Sequence, residues 1–128
     1  MNLKNATLTF AQGGFDMENI RKMEAIKEDI YVTIAGMNFR YGTDMIEKNM
    51  EKKEIRIKLV KEHDNKFDNE AIKAELKPFG TIGYVANSVH TVIGECYSAG
   101  RLYDKIGESV EAVAEYVTEK GVICRVDL

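Results

Sequence analysis

Apolar residues recur at every second position in several short segments of this 128-residue chain. In the first clear segment Ile30, Val32 and Ile34 alternate with a tyrosine, a threonine and an alanine. A period of two places successive side chains on opposite faces of a β-strand, so one face of each segment is expected to be buried. Comparable strand-like runs occupy residues 55–60, 72–76, 81–86, 109–117 and 122–128. The sequence therefore predicts about six short strands.

Two of the connections between these runs are short and carry turn residues. Pro78 and Gly80 lie between the third and fourth runs, and Gly121 closes a hairpin-length connection at a position where a positive φ is favoured. Strands and helices do not alternate regularly, as they would in a doubly wound fold. We expect a mainly β (α+β) protein, a small six-stranded OB/SH3-like β-barrel with two or three short helices.

Three segments outside the strands are less regular. Asp16 can cap a short helix in residues 17–26, and we expect residues 1–28 to form an N-terminal arm and helix before a barrel domain over 29–128. Residues 43–53 are rich in charge and read as a solvated connector or one helical turn. Asn87 and Ser88 suit the start of another helix, with Val89, Val92 and Ile93 on one side, weakened by Gly94 and interrupted at Gly100.

The composition limits the partners that this chain can have. The net charge is −3, which argues against a protein that holds nucleic acid mainly by neutralising phosphates. No apolar run approaches the length that spans a bilayer, and the N-terminus lacks a basic segment followed by an apolar block, so a cytoplasmic protein is expected. The two cysteines, Cys96 and Cys124, are expected to be reduced and partly buried.

Residues 62–70, with the sequence EHDNKFDNE, gather four acidic side chains and a histidine. Calcium-loop spacing would require Asp or Asn at position 66 and Gly at 69, where this chain has Lys66 and Asn69. No serine or cysteine lies in a nucleophile motif, His63 has no evident partner, and no glycine-rich nucleotide fingerprint is present. We expect no metal, no cofactor and no enzymatic activity, and the acidic cluster is more simply a solvated turn.

Aromatic residues near polar loops offer a different kind of site. They are Phe67 beside Asp68, the segment Asn38, Phe39, Arg40 and Tyr41 after the first strand, and Tyr84 after Gly83. Aromatics at the rim of a small barrel can stack on bases with little demand on net charge. The alternative is structural, with Phe67 and Phe39 plugging the barrel ends and Asp68 accepting from the backbone amides near Glu70.

The motifs in these loops resemble those of the HIRAN domain. The resemblance rests on DNKFDNEAI at residues 64–72, GTIGYV at 80–85 and AGMNFRYG at 35–42, and it spans roughly residues 29–127. HIRAN domains occur at the N-terminus of Rad5-like and helicase-like transcription factor remodellers and as stand-alone bacterial proteins. The resemblance implies an oligonucleotide-binding type of barrel that captures the exposed 3′ end of single-stranded DNA, in DNA repair or replication-associated processing.

The resemblance also implies roles for individual residues. Phe67 would pack on the terminal nucleotide, Asp68 would accept a hydrogen bond from the 3′-hydroxyl, and Asn65 would support the loop or bond a base. Phe39 would stack from the other side, and Tyr84 would line the pocket. A carboxylate at this position repels a terminal phosphate and so would select a free 3′-hydroxyl.

This chain departs from the family pattern at three of these positions. Asn38 stands where the DNA-binding eukaryotic members have Arg, Phe39 where they have Tyr, and Tyr84 where they have His. Loss of the arginine removes a phosphate contact, which Arg40 replaces only if it projects to the same face. The expected DNA binding is therefore weak, near micromolar.

Two kinds of partner remain open at this stage. In the first, the chain is a non-catalytic DNA-end binder that acts beside a separately encoded helicase or repair protein. In the second, the barrel groove binds a protein partner and DNA binding has been lost. Nothing in the sequence can bind a nucleoside triphosphate, so ATP hydrolysis would belong only to motors fused to other family members.

Overall fold

The computed structural model describes residues 29–36 and 42–128, which form six strands and two helices. The elements in chain order are β1 Ile30–Ala35, α1 Gly42–Met50, β2 Arg56–Lys61, β3 Ile72–Leu76, β4 Gly80–Val85, α2 Ala99–Tyr103, β5 Ser109–Thr118 and β6 Gly121–Asp127. The predicted N-terminal arm and helix lie outside the described residues. The mainly β class and the small OB-like barrel are confirmed.

The strands form a closed antiparallel ring in the order β1-β4-β3-β2-β5-β6. The predicted meander is present as β2-β3-β4, and β5 and β6 form the predicted hairpin. Register shifts at Ala74/Glu75 and at Ala114/Tyr116 mark bulges or irregularities in β3 and β5. Bulges increase local twist and bend a strand, which helps a short sheet to close on itself.

The alternating apolar residues fill the inside of the ring, as their period predicts. Fully buried side chains come from five strands of the barrel, and the larger ones include Val32, Ile34, Ile57, Leu59, Ile72, Val122 and Cys124. Burying one such aliphatic side chain stabilises the fold by about 1.5–3 kcal/mol before entropy is counted. The intervening positions face the outside of the ring, where Tyr84 is exposed and Thr33 is covered by the segment that follows β4.

The interpretation of residues 43–53 as a connector or one turn is wrong. They include most of α1, in which Ile46 is fully buried and Met45 and Met50 are partly buried against the barrel core. The charged residues Glu47 and Lys48 lie on the exposed side. Three apolar residues at helical spacing are enough to dock this amphipathic helix, although a charged run surrounds them.

The helix predicted to begin at Asn87 and Ser88 is also wrong. Residues 88–95 form turns, Val89 is 90% exposed, and the helix α2 begins after the cap residue Ser98, whose side chain accepts from the amide of Arg101. The side chain of Asn87 bonds distant groups instead of the amides that follow it. Gly100 lies inside α2 and does not interrupt a helix.

The segment 86–97 closes a seam in the ring. Strands β1 and β4 pair at only two positions, Ile34 with Val85 and Ala35 with Tyr84. Beyond these, the segment bonds to β1 directly: the amide of Ala86 donates to the Thr33 carbonyl at 2.8 Å and that of Tyr97 to the Tyr31 carbonyl at 2.7 Å. One groove opens at the Ala35 end of β1 and a second at its Tyr31 end.

Candidate functional site

The loop after β2 is built around the side chain of Asn65. Its Oδ1 accepts hydrogen bonds from the amides of Phe67 and Asp68, both at 2.9 Å, and its Nδ2 donates to Glu62 Oε1 at 2.8 Å. An Asn side chain that satisfies amides two and three positions ahead fixes the backbone in an Asx-type turn. Asn65 therefore sets the backbone orientation of residues 67 and 68.

The two carboxylate oxygens of Asp68 accept hydrogen bonds from different parts of the chain. Oδ1 accepts from the amide of Glu70 at 2.9 Å, which is the turn-capping role predicted from the sequence. Oδ2 accepts from Asn87 Nδ2 at 3.0 Å, and Asn87 Oδ1 in turn accepts from the amide of Gly100 at 2.8 Å. A carboxylate has about four acceptor positions, so these two bonds leave capacity for a donor from a ligand.

Glu62 joins the base of this loop to β4. Its carboxylate accepts from the hydroxyl of Tyr84 at 3.0 Å as well as from Asn65. The hydrogen bond to Glu62 is the main reason that the pKa of Tyr84 is raised above 10.0, with partial burial and the carboxylate charges of Glu62 and Asp64 adding to it and Lys73 opposing them. The Tyr84 ring is thus held as a neutral phenol against the loop.

Phe67 is the most exposed large apolar residue among those described, with 99% of its surface accessible. The interpretation in which it plugs a barrel end is wrong. Phe67, Asp68 and Tyr84 line one side of a groove of about 390 Å³ at the Ala35 end of β1. The remaining lining comes from the ends of β1 and β4 and from the segment that follows β4, namely Ala35, Gly36, Val85, Ala86, Asn87, Ser88 and Thr91.

The structure therefore brings together four of the eight predicted site residues. Three of them line the groove, and Asn65 lies behind it as a support for the loop. The other four, Asn38, Phe39, Arg40 and Tyr41, lie outside the described residues. Gly36, the last described residue before them, lines the groove.

Sequence reasoning missed Asn87 as a member of this site. Its place after β4 suited a helix cap equally well, and spacing alone gave no sign that it would reach Asp68, 19 residues earlier. It also missed the surroundings of His63, whose Nε2 lies 2.5 Å from Glu108 Oε2 and whose Nδ1 lies 3.5 Å from the Tyr103 hydroxyl. The statement that this histidine has no partner is wrong.

The acidic loop does not assemble a metal centre in the part of the chain that the structure describes. No group of three or more histidine, cysteine, aspartate or glutamate side chains is placed to hold an ion there. The carboxylates of Asp68 and Glu62 accept hydrogen bonds from protein donors instead. Neither described helix is long and apolar enough to cross a membrane.

Comparison of this chain with protein-family models, with curated proteins and with solved structures finds no match.

Proposed function

We propose that this barrel is a non-catalytic module that captures the exposed 3′-hydroxyl end of single-stranded DNA, during repair or replication-associated processing of DNA ends. A single observation carries the proposal: a fully exposed phenylalanine, Phe67, stands beside the carboxylate of Asp68 in one groove of the barrel. The resemblance to HIRAN domains supports the same conclusion. A separately encoded helicase or repair protein would be the partner that acts on the captured end.

The groove suits a terminal nucleoside because it offers one apolar face and one acceptor. A base stacked on Phe67 would contribute about 1–3 kcal/mol. The 3′-hydroxyl would donate to a carboxylate oxygen of Asp68, and a hydrogen bond to a charged group contributes about 1.5–3 kcal/mol. Asn65 fixes the backbone of both residues before the ligand arrives, so little backbone conformational entropy is lost on binding.

The charge of the loop favours a hydroxyl terminus over a phosphate. Residues 62–70 contain four carboxylates against one lysine. A negative charge about 4 Å from a carboxylate costs about 1 kcal/mol even at the dielectric constant of water. A 3′-phosphate brings up to two charges and cannot donate as the hydroxyl does, so we expect it to weaken binding by tenfold or more.

The test measures fluorescence anisotropy of a short labelled strand that ends in a 3′-hydroxyl or a 3′-phosphate, at low and moderate salt. Asp68→Asn keeps an oxygen that can accept from the Glu70 amide but removes the charge, and it should abolish the preference for the hydroxyl end. Asp64→Asn is the matched control, because it removes the same charge from an exposed position of the same loop that does not line the groove.

Near-micromolar binding with a hydroxyl preference that Asp68→Asn removes and Asp64→Asn keeps is the expected result. Equal binding to both strands, or equal effects of the two substitutions, would reject end capture. If neither strand binds, the groove has a different occupant, and a protein partner becomes the better explanation of the exposed Phe67.

A further inference from the structure

The second groove, at the Tyr31 end of β1, is larger than the first and is also lined by aromatic residues. It measures about 810 Å³, and its floor is the outer face of the barrel, where Tyr31, Tyr116 and Ile123 lie on β1, β5 and β6. Its wall is formed by residues 93–97 and Arg101. Tyr116 is 62% exposed, so its ring is available to a ligand.

Arg101 gives this groove a positive edge. Its guanidinium lies over the ring of Tyr97, 3.7 Å from the centroid. Among the residues that the structure describes, no carboxylate forms an ion pair with it. Stacking holds a guanidinium flat and leaves its N–H edge free, an arrangement that suits a phosphate oxygen.

The two grooves are neighbours in the structure. Asp68 Oδ2 accepts from Asn87, and Asn87 accepts from the amide of Gly100, the residue before Arg101. Two hydrogen bonds therefore connect the carboxylate of the first groove to the helix α2 that carries Arg101. The segment 86–97 lines both grooves and separates them.

We infer that the second groove is a further subsite for single-stranded nucleic acid, which holds the nucleotides upstream of the captured 3′ end. The inference rests on the proposed function of the first groove. Arg101 would contact a backbone phosphate, and Tyr31 and Tyr116 would stack on bases. Barrels of the OB type bind about 4–16 nucleotides, more than a groove of about 390 Å³ can hold alone.

Two carboxylates in this groove act against a polyanion. Asp29 and Glu95 line it together with Arg101. Because of these carboxylates, only the guanidinium of Arg101 attracts the phosphates of a strand. Stacking on the aromatic rings would therefore supply most of the affinity, and a single phosphate contact would make binding depend on salt. The two carboxylates would also attract a basic peptide, but Arg101 would repel it.

A competition experiment on the 128-residue chain tests the subsite. Unlabelled strands of two to ten nucleotides with a 3′-hydroxyl compete with a labelled decamer. Affinity should rise with length in the wild type. Arg101→Ala should weaken decamer binding about five- to tenfold, leave the dinucleotide unchanged, and reduce the salt slope by about 0.7. Arg101→Lys keeps the charge without the flat stack and should restore the slope but only part of the affinity.

Lys58→Ala is the matched control, because this substitution also removes one positive charge. Lys58 is exposed on β2, three strands from β1 in the ring. Tyr116→Ala is a second variant and should weaken decamer binding by about fivefold or more without changing the dinucleotide.

The outcomes separate the subsite from end capture. The subsite is overturned if affinity does not depend on strand length, or if Arg101→Ala weakens decamer binding no more than Lys58→Ala does. In that case the proposed function still stands if binding of the dinucleotide depends on Asp68. If affinity rises with strand length and depends on Arg101 but is the same for a 3′-hydroxyl and a 3′-phosphate, the subsite is supported and end capture is rejected. An oligolysine peptide that displaces the decamer and binds more tightly to Arg101→Ala overturns the subsite in favour of a cationic partner.

Discussion

The hydroxyl of Tyr84 donates to the carboxylate of Glu62 at 3.0 Å, and this contact joins β4 to the start of the loop that carries Phe67 and Asp68. The two residues are 22 positions apart in the chain. The bond therefore does more than hold one side chain. It ties the aromatic residue that lines the groove to the polar network that shapes the loop.

Breaking this contact should change the titration of Tyr84. Glu62→Gln weakens the hydrogen bond that is the main cause of the raised pKa of Tyr84 and removes the carboxylate charge that adds to it, so the pKa should fall towards 10.0. Because the folded chain keeps the phenol proton to a higher pH than the unfolded chain, the contribution of the pair is complete below pH 10 and declines as the pH rises above it. Urea unfolding at pH 8 and pH 10.5 measures this, with Tyr84→Phe as a control whose alkaline loss of stability should be smaller than that of the wild type. An identical alkaline loss in Tyr84→Phe would assign it to other groups.

Asn65→Ala should loosen the loop without unfolding the barrel. It leaves the amides of Phe67 and Asp68 without their acceptor, which should cost about 1–2 kcal/mol of stability. Hydrogen exchange at these two amides should become faster, while the amides of β2 and β3 should exchange as in the wild type. DNA affinity should fall with the loss of order even though Asn65 does not line the groove. Unchanged exchange at residues 67 and 68 would show that Asn65 does not hold them.

Phe67→Ala should weaken binding of a 3′-hydroxyl strand by about five- to 150-fold, the equivalent of one stacked base at 1–3 kcal/mol. Because the Phe67 side chain is 99% exposed, its removal should change the free energy of unfolding by no more than about 0.5 kcal/mol. Phe79→Ala is the control, since Phe79 is 56% exposed in the turn before β4 and does not line the groove. Anisotropy and thermal melting give both quantities. Equal losses of affinity in the two variants would place the ligand elsewhere.

Gly121→Ala should destabilise the β5-β6 hairpin by about 2 kcal/mol or more. Gly121 has a φ of +150°, and a Cβ there would lie 2.3 Å from the carbonyl oxygen of Ile34, a contact that backbone can relieve only by moving. Gly107→Ala is the matched control, because a Cβ at Gly107 meets nothing within 4 Å and its φ is ordinary. That substitution should be neutral or slightly stabilising. Chemical denaturation compares the two, and similar midpoints would contradict the clash.

Cys124 should make the fold sensitive to alkali. Burial raises the pKa of its thiol from 9.0 to about 12, with smaller contributions from Cys96 and Glu115. The unfolded chain therefore loses this proton at a lower pH than the folded chain, and stability should fall by about 1 kcal/mol per pH unit between pH 9 and 12. Cys124→Ala should flatten that slope, measured by urea unfolding at closely spaced pH values. A slope that is the same in the variant would mean that Cys124 does not cause it.

Periodicity predicted the parts of the fold that depend on local sequence. The alternation around Val32, Leu59 and Ala74 placed the strands to within one or two residues, and the Asx chemistry of Asp68 predicted its bond to the Glu70 amide. The helix α1 was missed because its few buried residues are surrounded by charge. Asn87 was assigned to a helix cap because a capping residue and a residue that bonds a distant carboxylate have the same side chain.

The candidate site shows the same division. Exposed aromatic and acidic residues in one short loop could be recognised by their type. The contacts from Glu62 to Tyr84 and from Asn87 to Asp68 join residues 22 and 19 positions apart, and they depend on the register in which the strands meet. Spacing along the chain contains no information on that register.

The pairing of β1 with β6 has a consequence for how the chain is made. β1 is the first strand of the barrel to leave the ribosome, yet its longest pairing is with β6, the last of the six, and it meets β4 at only two positions. The ring cannot close until β6 has been synthesised. Contacts so distant in sequence form slowly because the loop entropy is lost before they are gained. Until then the inner face of β1 lacks the apolar residues of β6 that cover it in the folded barrel, and transiently exposed apolar surface of this kind favours aggregation.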